Sequence, residues 1–392
     1  MKHKSKKWHK ARHTFFFWLS KCLIRIYSGI VYRYRGKKFE DKGQYLFLYN
    51  HQTPLDQHLL YLSLSRLPYT VASEDIFTMG GISRFICYAQ APIPFKKSEN
   101  DFAAVKTCVR IVKEGYSIAL SPEGNRTFTG ETVHIKKSIV KLIKLLRLPV
   151  AFFIIRGGYG VMPRYAKKTR KGKMSGSIEK VLAYDAYKDM SDDDLYELIR
   201  QTLYVDESET SQCRSAKKAE YMENAVYLCP SCKSVGTLAS KGNAIGCKRC
   251  GLKGYVNERL QFNDGFPVKN LKEWTALQNE WVNALSAEET ERPIFSEIVT
   301  VRKLLRDKAV KQMLAKEAEA RAYADRLEVD GKTFYYRDVS AMTVCGRKRL
   351  DFYCANETFQ LTASDRFCAL KYVNLYYHYK NIKEDGDGFL GI

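Results

Sequence analysis

Tyr45-Leu-Phe-Leu-Tyr-Asn-His-Gln-Thr-Pro-Leu-Asp56 joins a short apolar run to a turn that carries a histidine and, five positions later, an aspartate. Residues 45–49 read as a buried strand. Pro54 suits the start of a helix, Thr53 stands where an N-cap would, and residues 55–64 continue with helix-compatible side chains. His51 therefore falls in the strand-to-helix turn and Asp56 in the first helical turn. Residues five apart on one continuous helix point about 140° away from each other, so the turn is what lets this pair meet. A neutral imidazole is a suitable base near neutral pH. A carboxylate can hold the ring in one tautomer and stabilise the imidazolium that forms. Such a pair needs no serine if the substrate brings its own hydroxyl. With seven histidines in the chain, the spacing alone is a common coincidence, and a surface histidine beside a helix-start aspartate is the ordinary alternative.

A second block, Ser121-Pro-Glu-Gly-Asn-Arg-Thr127, follows another apolar strand at residues 116–120. Gly124 permits a tight turn and close approach of a substrate, and Arg126 offers a bidentate fork for a phosphate. Taken together, the two blocks resemble the 1-acylglycerol-3-phosphate (lysophosphatidic acid) acyltransferase family, which carries Asn-His-x4-Asp and, further along, Pro-Glu-Gly-Thr-Arg-Ser. Ala91-Pro-Ile-Pro-Phe-Lys-Lys97, Ile135-Lys-Lys-Ser138 and Leu148-Pro-Val150 resemble further family segments in the same order. The resemblance covers residues 15 to 200. It departs from the family pattern at Lys97 (usually Arg), Asn125 (usually Thr), Thr127 (usually Ser) and Ser138 (usually Gly). A lysine is a point charge rather than a fork, so a phosphate grip at position 97 is looser.

The resemblance implies acyl transfer to the sn-2 hydroxyl of a lysophospholipid. His51 would act as general base, oriented by Asp56. Arg126 and Lys97 would hold the acceptor phosphate, and Glu123 would position the acceptor or Arg126. Donors near Gly124 or Asn50 would stabilise the oxyanion. The acyl donor would be acyl-CoA or acyl-carrier-protein, with no catalytic metal or redox cofactor.

Cys229-Pro-Ser-Cys232 and Cys247-Lys-Arg-Cys250 form two Cys-x2-Cys knuckles fourteen residues apart. Four thiolates at this spacing predict a closed, structural zinc site that orders a short segment. The chain has eleven cysteines, an odd number, so a disulfide framework is not indicated and a reducing compartment is.

A formal charge of +22 over 392 residues predicts attraction to anionic surfaces. Lys2, Lys4, Lys6, Lys7, Lys10 and Arg12 precede the run Phe15-Phe-Phe-Trp-Leu19, a pattern suited to a helix at a membrane interface. Lys21 and Arg25 interrupt the apolar stretch. Residues 14–34 are therefore expected as a membrane-associated helix or helix pair that does not span, on the cytoplasmic face, peripheral or monotopic. The charges inside the run and the lack of a small-residue cleavage site argue against a signal peptide.

The expected fold is α/β: a mixed sheet flanked by helices, followed by a small zinc ribbon and a C-terminal α+β module. The expected divisions are a basic tail and membrane-associated helix at 1–35 and an acyltransferase domain at 36–205. A polar linker at 206–224, the ribbon at 225–262 and a helical connector at 263–326 follow. A β-rich module, pleckstrin-homology-like in pattern, closes the chain at 327–385. Two other readings stay open: a basic zinc-ribbon protein that binds nucleic acid, which leaves both blocks unexplained, and an inactive membrane scaffold with the same fold. Nucleic acid is not expected as a partner.

Overall fold

The computed structural model describes residues 7–95, 102–286, 291–305 and 307–383. The first half of the chain runs α1 (Ala11–Tyr32), β1 (Arg35–Gly36), β2 (Leu46–Tyr49), α2 (Asp56–Ser63), β3 (Pro68–Ser73), α3 (Gly81–Gln90), β4 (Ile93–Phe95), α4 (Phe102–Lys113) and β5 (Ser117–Leu120). It continues with α5 (Ser138–Leu146), β6 (Val150–Arg156), α6 (Gly158–Val161), β7 (Lys171–Gly172), β8 (Ser175–Leu182), α7 (Tyr184–Tyr187) and α8 (Asp192–Leu203). Seven strands form one sheet in the order β1-β8-β6-β2-β5-β3-β4. Neighbours from β6 to β4 are parallel, and β8 runs antiparallel to β6, so the sheet is mixed as expected. All of β2 and β5, and all of β6 but Arg156, are buried. Such continuous apolar runs belong to strands covered on both faces.

The order of the strands places the site. β2 leads through α2 to β3, which lies beyond β5, and β5 leads through α5 to β6, which lies beyond β2. Connections leaving two adjacent parallel strands in opposite directions open a crevice at their carboxyl ends, where ligands bind in open α/β sheets. Both sequence blocks emerge there.

α1 is a single helix rather than a pair. Its 22 residues would reach about 33 Å, long and apolar enough to cross a bilayer. Part of it packs along the domain. Phe17 packs on Tyr61 of α2 with ring centroids 5.2 Å apart, and Phe16 on Phe85 of α3 at 5.6 Å. The opposite side is open: Phe15, Leu23, Ile26 and Ile30 are exposed, as are Ile82, Phe85 and Tyr88 of α3.

The second half departs from expectation in two places. The polar stretch 206–224 is no free linker. β9 (Cys213–Arg214) pairs with β7, and Glu207, Ser208, Ala219 and Met222 are buried. After it come the ribbon strands β10 (Leu238–Lys241), β11 (Ala244–Cys247) and β12 (Lys253–Tyr255), an antiparallel three-stranded sheet. Among its described residues the connector then supplies only α9 (Leu271–Asn283) as helix. Most of the rest of the stretch expected as a helical connector is instead a hairpin of β13 (Phe295–Leu305) and β14 (Val310–Ala322). The Lys-, Glu- and Ala-rich composition of this stretch favours helix locally. Packing of Phe295, Val299 and Val301 on one face, opposite Ala322, Ala318 and Ala315, outweighs that preference.

The C-terminal module therefore begins at residue 295. With β15 (Arg326–Val329), β16 (Lys332–Tyr335), β17 (Val339–Cys345), β18 (Arg349–Cys354) and β19 (Glu357–Thr362), the sheet order is β16-β15-β14-β13-β19-β18-β17, closed by α10 (Leu370–Lys383). One hydrophobic cluster runs from Phe128, Tyr159 and Tyr165, beside the crevice, through Trp274 to Val339, Phe352 and Tyr376 of the module.

Candidate active site

The loop after β2 folds back through Asp56, which is 1% exposed. Its carboxylate accepts from the N–H of Gln52 at 2.7 Å, the N–H of Thr53 at 2.9 Å, the Thr53 hydroxyl at 2.6 Å and His51 Nδ1 at 2.8 Å. The Thr53 hydroxyl thus serves Asp56 rather than capping the helix, which begins at Asp56 itself. With Nδ1 donating to a buried carboxylate, the neutral ring carries its lone pair on the other nitrogen, Nε2. The imidazole is 27% exposed, so it faces the crevice while its partner is sealed.

The second block grips the histidine backbone. His51 N–H donates to Glu123 Oε1 at 2.7 Å, and Thr127 N–H donates to His51 O at 3.3 Å. The other Glu123 oxygen accepts from Val133 N–H at 2.9 Å. Burial pushes the Glu123 carboxyl up to about 8, against the pull of these two donors. Glu123 therefore faces His51 and Val133 rather than Arg126, one of the two partners expected for it beside the acceptor. Gly124 sits at φ +64°, and its N–H closes the turn onto Ser121 O at 3.3 Å. That conformation accounts for the glycine without any substrate.

Arg126 is half-buried beside this turn, and burial lowers the proton affinity of its guanidinium while Asp56 opposes that shift. The guanidinium has no hydrogen-bonded or ion-paired partner among the described residues. Asn50 has a different place from the one expected. Its amide nitrogen donates to Ile155 O at 2.9 Å and its oxygen accepts from Ile155 N–H at 2.7 Å. Both ends of the amide extend the pairing of β2 with β6, so Asn50 shapes the loop. Lys97 lies outside the described residues.

Three supports were not anticipated. Gln52 Oε1 accepts from Gly158 N–H at 2.9 Å, and a β-carbon on Gly158 would meet that oxygen at 2.5 Å. Glu207, from the polar stretch, accepts from the N–H groups of Gly157 and Tyr159. Arg164 donates to Arg126 O at 2.6 Å. The paired glycines directly after β6 were the available sign of a close backbone approach. Nothing local marks Glu207 or Arg164.

The four cysteines converge. Their Sγ atoms all lie within 4.8 Å of one another, with Cys229 to Cys250 and Cys232 to Cys247 each at 3.8 Å. Four sulfurs at about 2.3 Å from one tetrahedral ion are ~3.8 Å apart, so the set fits one metal ion. Each knuckle closes alike: Lys233 N–H reaches Cys229 O and Gly251 N–H reaches Cys247 O, both at 3.0 Å, with Lys233 and Gly251 at positive φ. None of the described cysteines is in a disulfide.

Residues 31–156 match the family model described as Acyltransferase, an interval that holds both blocks, from before His51 to beyond Arg126. This segment is an acyltransferase-family domain. Among solved structures, the chain is similar to the 1-acyl-sn-glycerophosphate (LPA) acyltransferase PlsC from Thermotoga maritima, with 17% identity and a TM-score of 0.42 over 51% of this chain and 81% of that one. No curated protein matches the chain.

Proposed function

We propose that the protein transfers a fatty acyl group from acyl-CoA or acyl-carrier-protein to the sn-2 hydroxyl of 1-acylglycerol-3-phosphate, giving phosphatidic acid. The observation that carries this reading is the hydrogen-bonded His51–Asp56 pair at the carboxyl ends of two parallel strands. His51 takes the proton of the acceptor hydroxyl as its oxygen attacks the thioester carbonyl. The tetrahedral intermediate collapses, the C–S bond breaks, and the leaving thiolate recovers the proton from His51. Asp56 fixes the tautomer and stabilises the imidazolium during this interval. Arg126, with a guanidinium not consumed by a described partner, receives the acceptor phosphate.

The zinc ion belongs to Cys229, Cys232, Cys247 and Cys250, where it holds the ribbon together and takes no part in transfer. The open faces of α1 and α3 lie in the interface of an anionic membrane, on the cytoplasmic side, in a monotopic arrangement. A helix packed lengthwise on its own domain is placed to lie in the interface rather than to cross it.

Purified protein, offered a lysophosphatidic acid with acyl-CoA or acyl-carrier-protein, forms phosphatidic acid. His51→Ala and Asp56→Ala each lower kcat by about 10²-fold or more. Equal turnover by the wild type and His51→Ala would refute the mechanism.

A further inference from the structure

Arg164 is the unusual residue of the molecule. It is 3% exposed. Its guanidinium is spent on three carbonyl oxygens: Arg126 O at 2.6 Å, Val344 O at 2.7 Å and Gly346 O at 2.9 Å. The first lies in the second sequence block, and the other two are at the end of β17 and in the turn after it. The guanidinium also stacks on Phe128, 4.4 Å from the ring centroid. No carboxylate pairs with it among the described residues, and burial together with the neighbouring Arg126 charge lowers its proton affinity to about 9. A buried cation is ordinarily neutralised by a carboxylate. Here only peptide dipoles satisfy it, and the positive charge is left standing behind Arg126.

A second contact joins the same two parts of the chain. Asn125, one of the positions at which the block departs from its family pattern, donates from Nδ2 to Thr343 Oγ1 at 3.2 Å. Thr343 belongs to β17 and is buried. Two successive residues of the candidate acceptor loop are therefore held by one segment of the C-terminal module, 343–346. Arg164 is the clamp between them.

We infer that the C-terminal module is part of the acceptor site: Arg164 fixes the backbone of Arg126 and Thr343 the side chain of Asn125, and Arg164 adds a second positive charge behind Arg126, so that the acceptor's phosphate is bound by a loop the module holds in place. This rests on the acyl-transfer reading only in naming the acceptor. Arg164 and Thr343 are positioning residues, since they act through Arg126 and Asn125. The ligand class is a phosphomonoester carried on a glycerolipid.

The test uses the full-length protein and a short-chain, monomeric 1-acylglycerol-3-phosphate, with the 1-acylglycerol of the same chain as a phosphate-free control. Calorimetric binding and acceptor kinetics are measured for wild type, Arg164→Gln and Thr343→Val, each shown to be folded by thermal melting. Thr343→Val keeps the side-chain shape and serves if Arg164→Gln does not fold. Arg164→Gln is expected to weaken binding of the phosphate-bearing lipid by about tenfold and Thr343→Val by about threefold. Acceptor KM should rise in step, while the KM for the acyl donor and binding of the phosphate-free control stay unchanged. A merely structural role would disturb donor and control as well. Failure of the wild type to prefer the phosphate-bearing lipid, or equal affinity in a folded variant, overturns the inference. Phosphate-dependent binding that the variants lose, without turnover in the wild type, sustains it and refutes the acyl-transfer reading instead.

Discussion

At the residue scale, Glu123 shows how a short motif can be legible while its work is hidden. Its place in Pro-Glu-Gly marks it as part of the site, but charge logic pointed it at Arg126 or at a ligand. The structure turns both its oxygens to backbone N–H groups, so it supports His51 from behind. This gives it a pH signature. The carboxyl titrates near 8 when folded, against an ordinary value of 4.5. Between those values the native state keeps a proton that the unfolded chain releases. Its contribution to stability is therefore complete below the lower value and lost as pH rises through the upper one. The melting temperature of the wild type should fall between about pH 5 and pH 8.5 more steeply than that of Glu123→Gln. Parallel profiles would show that the side chain is already ionised at the lower pH. Arg164 lies at the other extreme. A lone arginine in Met162-Pro-Arg-Tyr165 carries no pattern, because its partners are carbonyl groups contributed by distant turns.

At the element scale, the cysteine knuckles and the parallel strands could be read directly, because each signal is complete within a few residues. The β13–β14 hairpin could not. Its strands take their stability from each other and from β19 and β15, which no local window contains. The alternation of Ala318, Ala320 and Ala322 was the trace of a strand, outweighed by the Lys and Glu between and before them. The ribbon invites a direct check. Its three short strands leave Cys229 and Cys247 buried and Cys250 exposed, and so short a segment would need an ion between its four thiolates to close. Elemental analysis should find about one zinc per chain in the wild type, and Cys247→Ser should lose most of it along with thermal stability. Undiminished metal content in that variant would exclude the four-cysteine site.

On the scale of the whole molecule, charge and apolar surface act together. The exposed side chains of α1 and α3 form neighbouring faces, joined by the contacts of Phe16 with Phe85 and Tyr88. Arg12 stacks on Tyr88 with 4.4 Å between guanidinium carbon and ring centroid, and Arg25 follows on the same helix. Vesicles containing anionic lipid should bind the protein more tightly than neutral ones, and the difference should shrink as salt approaches ~1 M. The double variant Phe15→Ser, Ile30→Ser should lose an order of magnitude or more in partitioning to either vesicle, since both side chains are more than half exposed. Partitioning unaffected by that pair would place the lipid contact elsewhere.

The apolar cluster that runs from Phe128 to Tyr376 has a bearing on how the protein can be dissected. A fragment ending at residue 205 retains both sequence blocks, yet it would bare Phe128, Tyr159 and Tyr165 to water and give up the Glu207 carboxylate that seats Gly157 and Tyr159. The portion that carries both blocks is thus not excisable, although the blocks themselves lie close together in the sequence. Differential scanning calorimetry of the intact chain should trace a single cooperative endotherm. The 1–205 fragment should aggregate or bind a hydrophobic dye instead of melting independently.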